Sequence, residues 1–506
     1  MAESRTQRVK KNLVSNVFNK LITLALPFVI RTVIIQKLGA EYIGLGSLFT
    51  SILQVLNMAE LGFSSAIVFS LYKPIAEENV DEVCALLNFY RKVYRIVGSA
   101  ILGFGILLMP FLKYLIKGSY PADINLYILY LIFLLDTVIS YFAFAYKSVI
   151  LTASQRQDVI SNINSGLIAI RSIVQIAILL LTKNYYLYII WNVIFTVINN
   201  IVVSKITQKK YPQYVCRGNI DKSKKESIIR QIKGLAIGKI SKTSRNAFDT
   251  VVLTAFCGLI EGAVYSNYYY VFNAVIGVIG ILVNSLTASI GNSVAVESRE
   301  KNYDDFKRIY YVFSWIGGWC TICLLCLYQP FMKLWAGEEL VGSMRVMLLF
   351  CVYFYITQMG QARAMYTSAA GLWWELKNCE IAEMLSNIVL NFILGYFWGM
   401  EGILWATIIT VFLFSVVGIT NITYKYFFQC SSKEFWTESA KYMLITVCTG
   451  LLTYKICGLI RQETIIGFIL KIIICLVIPN IIFAIISFSK KRYREYLFGF
   501  VKKIKL

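Results

Sequence analysis

Apolar runs of about 20 residues, the length a helix needs to cross a bilayer, recur along the whole chain with short polar stretches between them. Fourteen are predicted, at 13–36, 44–71, 93–116, 124–146, 159–182, 185–204, 234–257, 264–292, 309–332, 346–368, 379–398, 402–424, 437–457 and 465–488. This pattern predicts an all-α polytopic membrane protein. The one long polar stretch is 205–233, "KITQKKYPQYVCRGNIDKSKKESIIRQIK", and it divides the first six runs from the next six.

The seventh run departs from the pattern. It opens with "GKISKTSRNAFDTVVL" (238–253), which carries Lys239, Lys242, Arg245 and Asp249. At 100° per residue these four fall within about 120° of one another, so they form one charged stripe on an apolar helix. A charge at the bilayer centre costs roughly 2.5–3.5 kcal/mol on insertion scales. The stripe is therefore expected to face protein, water or a ligand.

Composition sharpens the class. Of 506 residues, 58% are hydrophobic and 15% charged, against about 25% charged in an ordinary soluble domain. The basic start "RTQRVKK" leads into an apolar run too long for a signal-peptide core, so the first helix is expected to stay. Histidine is absent, which removes Ser-His-Asp and Cys-His catalysis and any His-bearing metal site. The 12 cysteines lie mostly in apolar runs. Cys320, Cys323 and Cys326 in "CTICLLC" sit at helical spacing with no other ligand type nearby, so they read as small hydrophobes and no metal or cofactor is expected.

The net charge of +22 acquires a meaning from where the charges fall. Counting charges near span ends with the adjoining loop, 35 of the 50 Lys and Arg lie in segments that are cytoplasmic if the N-terminus is inside, 8 lie outside and 7 lie within spans. The positive-inside rule then places both termini in the cytoplasm. The basic excess serves orientation and contact with anionic lipid rather than nucleic acid. The tail "KKRYREYLFGFVKKIKL" (490–506) has aromatics beside Lys and Arg, as an interfacial segment does.

The two halves repeat. "EENVDEV" (77–83) follows the second span and "EKNYDDF" (300–306) the eighth; "PFLKYLIKG" (110–118) ends the third and "PFMKLWAG" (330–337) the ninth. A parallel six-plus-six duplication results: an N-terminal bundle at 1–204, a basic cytoplasmic linker at 205–233, a C-terminal bundle at 234–428, and two further helices with a basic tail at 429–506. Duplicated bundles support alternating access, and the architecture points to a transporter rather than an enzyme.

Three segments carry a family resemblance: "FVIRTVIIQKLGAEYIGLGSLFTSIL" (28–53), "AELGFSSAI" (59–67) and "YSNYYYVFNAVIGVIGILVNSLTASIGNSVAVES" (265–298). Over residues 12–428 the chain resembles the polysaccharide transporters (Wzx-type oligosaccharide flippases) of the multidrug/oligosaccharidyl-lipid/polysaccharide (MOP) exporter superfamily. The resemblance implies two bundles forming a V-shaped cavity with a cationic lining. It implies translocation of undecaprenyl-diphosphate-linked oligosaccharide to the outer leaflet of a bacterial cytoplasmic membrane, for capsule, O-antigen or a similar surface polysaccharide. Polysaccharide polymerase machinery would be the partner. By similarity Arg31 stands where the family has its first-helix arginine before "KLG", and Asp249 where it has the seventh-helix acid.

The charges within spans are the candidate site. Cavity cations suit this cargo, because a lipid diphosphate carries about two negative charges and guanidinium forks bind phosphate oxygens bidentately. Arg31, Arg171, Lys242 and Arg245 are the candidates. Lys239, about 8 Å deep, can snorkel to headgroups, whereas Arg245 at about 17 Å is too deep for that. Asp249 either pairs with Arg245 or serves as a proton or cation site. Asp136 shares the depth of Arg171 on an adjacent helix, so the two either form a structural ion pair or bind and position the diphosphate. Coupling to H⁺ or Na⁺ would fall to Asp136, Asp249 or Glu60. Lys147 and Arg363, with Glu60, fall near the cytoplasmic mouth, where hydration alone would accommodate them. The aromatic run "YSNYYYVF" suits sugar stacking or an interfacial belt.

Other readings share the architecture. A lipid II flippase or a drug or metabolite antiporter of the same superfamily would look similar, although twelve spans suffice for the antiporters. A membrane polysaccharide polymerase would need a large outside loop, and the outside loops here are short.

Overall fold

A computed structural model describes residue 23 and residues 25–60, 63–460 and 464–504. The first half of the first predicted span and the side chain of Lys242 lie outside the described residues. Every described element is helical, and no strand occurs among the described residues. Seven of the helices are long and apolar enough by themselves to cross a membrane. The remaining spans are shorter or interrupted helices, so the protein is an all-α multi-pass membrane protein with a helix at each predicted span.

The chain forms two units, Met1–Gly262 and Ala263–Leu506. In the first, α1 (25–37) leads into α2 (Ala40–Leu56), and a 3₁₀ turn at Asn57–Glu60 interrupts the second span before α3 (Phe63–Ala76). Then come α4 (Val80–Leu108), α5 (Leu126–Phe142), the short α6 (Ser148–Ala153), α7 (Gln157–Thr182), α8 (Tyr185–Lys210) and α9 (Lys222–Cys257). Asparagine N-caps start three of these helices: Asn79, Asn125 and Asn184 accept from backbone N–H groups of the following turn, satisfying donors a helix start leaves open. A two-residue turn joins α7 to α8, with Lys183 in the left-handed region.

Helix α9 packs on α2 and α3. Gly44 of α2 lies against the chain just beyond α9, where a Cβ would come within 2.2 Å of the Leu259 carbonyl oxygen. The turn that ends α9 has Gly258 at φ 96°, and the Lys117 amide donates to the Thr254 carbonyl at 3.1 Å beside it.

The basic linker is shorter and more structured than its composition predicts, because α8 runs on to Lys210 and α9 begins at Lys222. The segment between them lies along α4. Asn88 Nδ2 donates to the Gly218 carbonyl at 2.7 Å, Lys92 to Asn219 at 3.1 Å, and Arg217 pairs with Asp81 at 3.0 Å.

The second unit contains α10 (Leu259–Val296, entering from the first), α11 (Arg299–Ala336), α12 (Met344–Met359) and α13 (Gln361–Ala369). Helix α14 (Trp373–Thr410) breaks at Gly399, whose backbone is non-helical, and so supplies two spans. It continues through π-helical turns at Val411–Gly418 and Tyr424–Phe428, with α15 (Ile419–Thr423) between them. Helices α16 (Lys433–Gly458), α17 (Ile465–Ser489) and α18 (Lys491–Ile504) complete the chain. The two matched acidic segments both begin third-span helices, yet their asparagines diverge. Asn79 caps α4, whereas Asn302 lies inside α11, 1% exposed, and donates to the carbonyls of Ser293 and Ser298. Ser298 takes over as the cap.

The aromatic run at 265–272 is core rather than a sugar platform or a belt for the residues it buries. Tyr268 is fully buried, donates to Gln329 at 2.6 Å, and packs with Tyr328 and Phe350. Phe272 stacks on Tyr353 at 4.7 Å.

Candidate functional site

Within the first unit, α8 presents Tyr188, Asn192 and Thr196 at spacings of four, which puts all three on one helix face. Helix α7 presents Arg171 and Gln175 by the same rule, and α5 contributes Asp136. Short connections make α7 and α8 antiparallel neighbours, and the stripes meet. Gln175 Nε2 donates to Asn192 Oδ1 at 2.8 Å, and Thr196 Oγ1 donates to Asp136 Oδ1 at 2.6 Å.

Arg171 sits fourteen residues into α7, about 21 Å along it. It acts electrostatically on both Asp136 and Tyr188. No direct ion pair joins Arg171 to Asp136 among the described residues; threonine holds the carboxylate instead. The Nε of Arg171 is shielded from solvent and has no hydrogen-bond partner among the described residues. A buried N–H without an acceptor is costly, so this donor is suited to an incoming anion. Arg31 on α1 reaches the same region, acting on Tyr185 and Tyr188. Tyr185 is itself fixed, donating to the Tyr42 carbonyl at 3.1 Å and meeting the Tyr42 ring edge-on at 5.1 Å. Arg31 of α1 and Arg171 of α7 are thus both within electrostatic reach of Tyr188, and Arg171 is within reach of Asp136 on α5 as well.

The charged stripe of α9 belongs to this unit. Lys239 is exposed and donates to Ser65 of α3 at 2.7 Å, so its ammonium binds protein rather than only snorkelling. Arg245 is half-buried, and Asp249, one turn on, is 1% exposed.

Glu60 is not simply hydrated. It lies at the break between α2 and α3 and accepts from the phenols of Tyr94 and Tyr141, the latter at 2.6 Å. Tyr141 also donates to Asn57 at 3.1 Å. The result is a carboxylate held in a tyrosine cage. Lys147 donates to Gln208 at 3.3 Å and lies over the Phe144 ring.

Arg363 departs most from expectation. It is 4% exposed in the second unit, not at a hydrated mouth. Its guanidinium donates to the carbonyls of Ser415 and Val416 and to Thr420 Oγ1, the last two at 3.1 Å. Both carbonyls belong to the π-helical turn at Val411–Gly418.

Sequence reasoning by charge missed the uncharged partners. Gln175, Asn192, Thr196 and Tyr188 were readable as polar positions four apart in apolar helices. The same signal marks Glu383, Asn387 and Asn391 on α14, all buried. There Asn387 Nδ2 donates to Thr407 at 3.2 Å and Asn391 Nδ2 to Asn387 Oδ1 at 3.2 Å.

The first unit is thus a many-helix membrane unit with half-buried charged groups at mid-span. Comparison with solved structures shows where this fold recurs. The lipid II flippase MurJ in an inward closed conformation superposes with a TM-score of 0.66 at 15% identity, covering 94% of this chain and 98% of that one. The inward-facing conformation of a multidrug resistance MATE family transporter of the MOP superfamily gives 0.62 at 15% identity, covering 79% and 93%. An outward-facing MATE family transporter gives 0.53 at 16% identity, covering 80% and 92%. No family model and no curated protein matches the sequence. The fold is therefore the one shared by these MATE family transporters and the lipid II flippase MurJ.

Proposed function

We propose that the protein is a flippase for a lipid-linked oligosaccharide, moving an undecaprenyl-diphosphate-linked repeat unit from the cytoplasmic to the outer leaflet of a bacterial cytoplasmic membrane by alternating access, with both termini cytoplasmic. The observation that carries the reading is the pair Arg31 and Arg171 around Tyr188, with the Arg171 Nε buried and lacking an acceptor. Two guanidinium groups match the charge and the planar, bidentate geometry of a diphosphate. Asp136, held by Thr196, keeps Arg171 from being left as an isolated cation when the site is empty. The likeness to a lipid II flippase over nearly the full length of both chains supports a lipid-linked cargo. With the inside negative, each anionic charge moving outward gains about 2.3 kcal/mol per 100 mV. Asp136, Asp249 and the caged Glu60 are the groups through which H⁺ or Na⁺ would couple.

The test is depletion of the protein in cells, followed by extraction of lipid-linked glycans from each leaflet. Accumulation of a diphosphate-linked oligosaccharide in the inner leaflet is expected. Accumulation of lipid II instead would assign the cargo of its structural neighbour. Unchanged lipid-linked pools with lost efflux of cationic drugs would make the protein an antiporter.

A further inference from the structure

Four cysteines far apart in sequence converge between α11, α16 and α17. Cys326 of α11, Cys457 of α16 and Cys475 of α17 are all buried, and their three sulfurs lie within 4.8 Å of one another. Cys457 Sγ and Cys475 Sγ are 4.0 Å apart, and Cys323, one turn before Cys326, lies over the Cys475 carbonyl at 3.9 Å. The surroundings are Ile322, Phe483, Trp319 and Leu327, so water does not compete for the sulfurs. No disulfide joins them.

We propose that Cys326, Cys457 and Cys475 form a site for a soft, monovalent d¹⁰ cation of the Cu(I) class, tying the last two spans to α11. Thiolate sulfur selects Cu(I) among available ions, and Zn(II) prefers four tetrahedral ligands. Three mutually close donors fit a trigonal ion. Cysteine ligates as the thiolate, so each thiol that binds the ion releases its proton to solvent, with no change of oxidation state. Softness and the number of donors, rather than charge, select the ion. Cys326 lies ten residues from the end of α11 and Cys475 ten residues from the start of α17, about 15 Å in each case. A cavity of about 260 Å³ opens toward that same end, lined by Gln329, Lys333, Thr464, Phe468 and Lys471, and it offers an entry route. Lys471, one turn from Cys475, lies within electrostatic reach of Cys457 and would stabilise a thiolate there.

The full-length protein, purified reduced into lipid nanodiscs, would be titrated anaerobically with Cu(I) against a colorimetric chelator. One ion per chain is expected, with copper-edge X-ray absorption reporting three sulfur neighbours and with a raised thermal midpoint. Cys475→Ser and Cys457→Ser should each weaken binding by at least about 100-fold, while Cys448→Ser should not. Cys326→Met keeps a soft donor and the apolar shape, so it should fold and bind more weakly than the parent. No stoichiometric Cu(I), equal binding by the serine variants, or preferential four-sulfur binding of Zn(II) would each overturn the proposal.

Discussion

Arg363 and Arg171 show how the same residue type does different work at two places in one fold. Arg363 donates through Nη1 to two carbonyls of the π-helical turn and a threonine hydroxyl. Arg171 has no counterpart to these bonds among the described residues, although the Nε of each arginine lacks a partner there. Hydrogen bonds from a charged donor are worth about 1.5–3 kcal/mol each, so Arg363→Ala should lower thermal stability and membrane abundance markedly. Transport per folded molecule should stay near that of the parent. Thermal unfolding in detergent set against transport normalised to folded protein checks this, and lost transport at unchanged stability would put Arg363 on the cargo path. The sequence could place Arg363 in a span but could not show which acceptors it meets, since Ser415, Val416 and Thr420 lie more than 50 residues away along the chain. Arg171 and Asp136 were legible as a pair at equal depth. The threonine that holds the acid was not, because Thr196 looks like any small residue until α8 packs on α5.

Among the elements, spans could be read in sequence because apolar length is a local property, whereas their breaks could not. The 3₁₀ turn at Asn57–Glu60, whose side chains accept from Tyr141, and the ordered linker depend on partners distant in sequence. The break at Gly399, by contrast, falls between two predicted spans. The junction between α9 and α10 is the clearest case of such dependence, since Leu259 seats against α2 only because Gly44 has no side chain. Gly44→Leu should destabilise the protein by at least about 1–3 kcal/mol, the usual range for overpacking. Gly103→Leu, where a Cβ meets open space, should be neutral in the same thermal-unfolding assay. At the other end of the chain, α18 docks through Arg492, which pairs with Glu434, and through Tyr493, which stacks on Tyr311 at 4.9 Å. Burial alone would raise the Glu434 carboxyl, but hydrogen bonds from Tyr303 and Arg492 outweigh it and hold the group below the usual carboxylate range. A lowered folded-state value contributes stability above the unfolded value of about 4.3 and loses it as pH falls through the folded one. Protease protection of residues 491–504 should therefore be full at neutral pH and fall off below about pH 4.3. Glu434→Gln should remove part of that pH dependence, since Glu438 also accepts from Tyr493 at 3.0 Å and pairs with Arg492 at 3.6 Å, and an unchanged profile in the variant would place the titrating group elsewhere.

For the molecule as a whole, the proposed activity is movement of an anionic lipid-linked headgroup across the membrane past Arg31 and Arg171. The most direct measurement is flipping by the purified protein in proteoliposomes loaded with an undecaprenyl-diphosphate oligosaccharide, read by the access of an external glycosidase to the sugar. The account predicts protein-dependent flipping that Arg171→Ala abolishes and Arg171→Lys restores only in part, because an ammonium keeps the charge and loses the bidentate fork. Both variants should remain folded and abundant. Undiminished flipping by Arg171→Ala, or no flipping by the intact protein under an inside-negative potential, would contradict it.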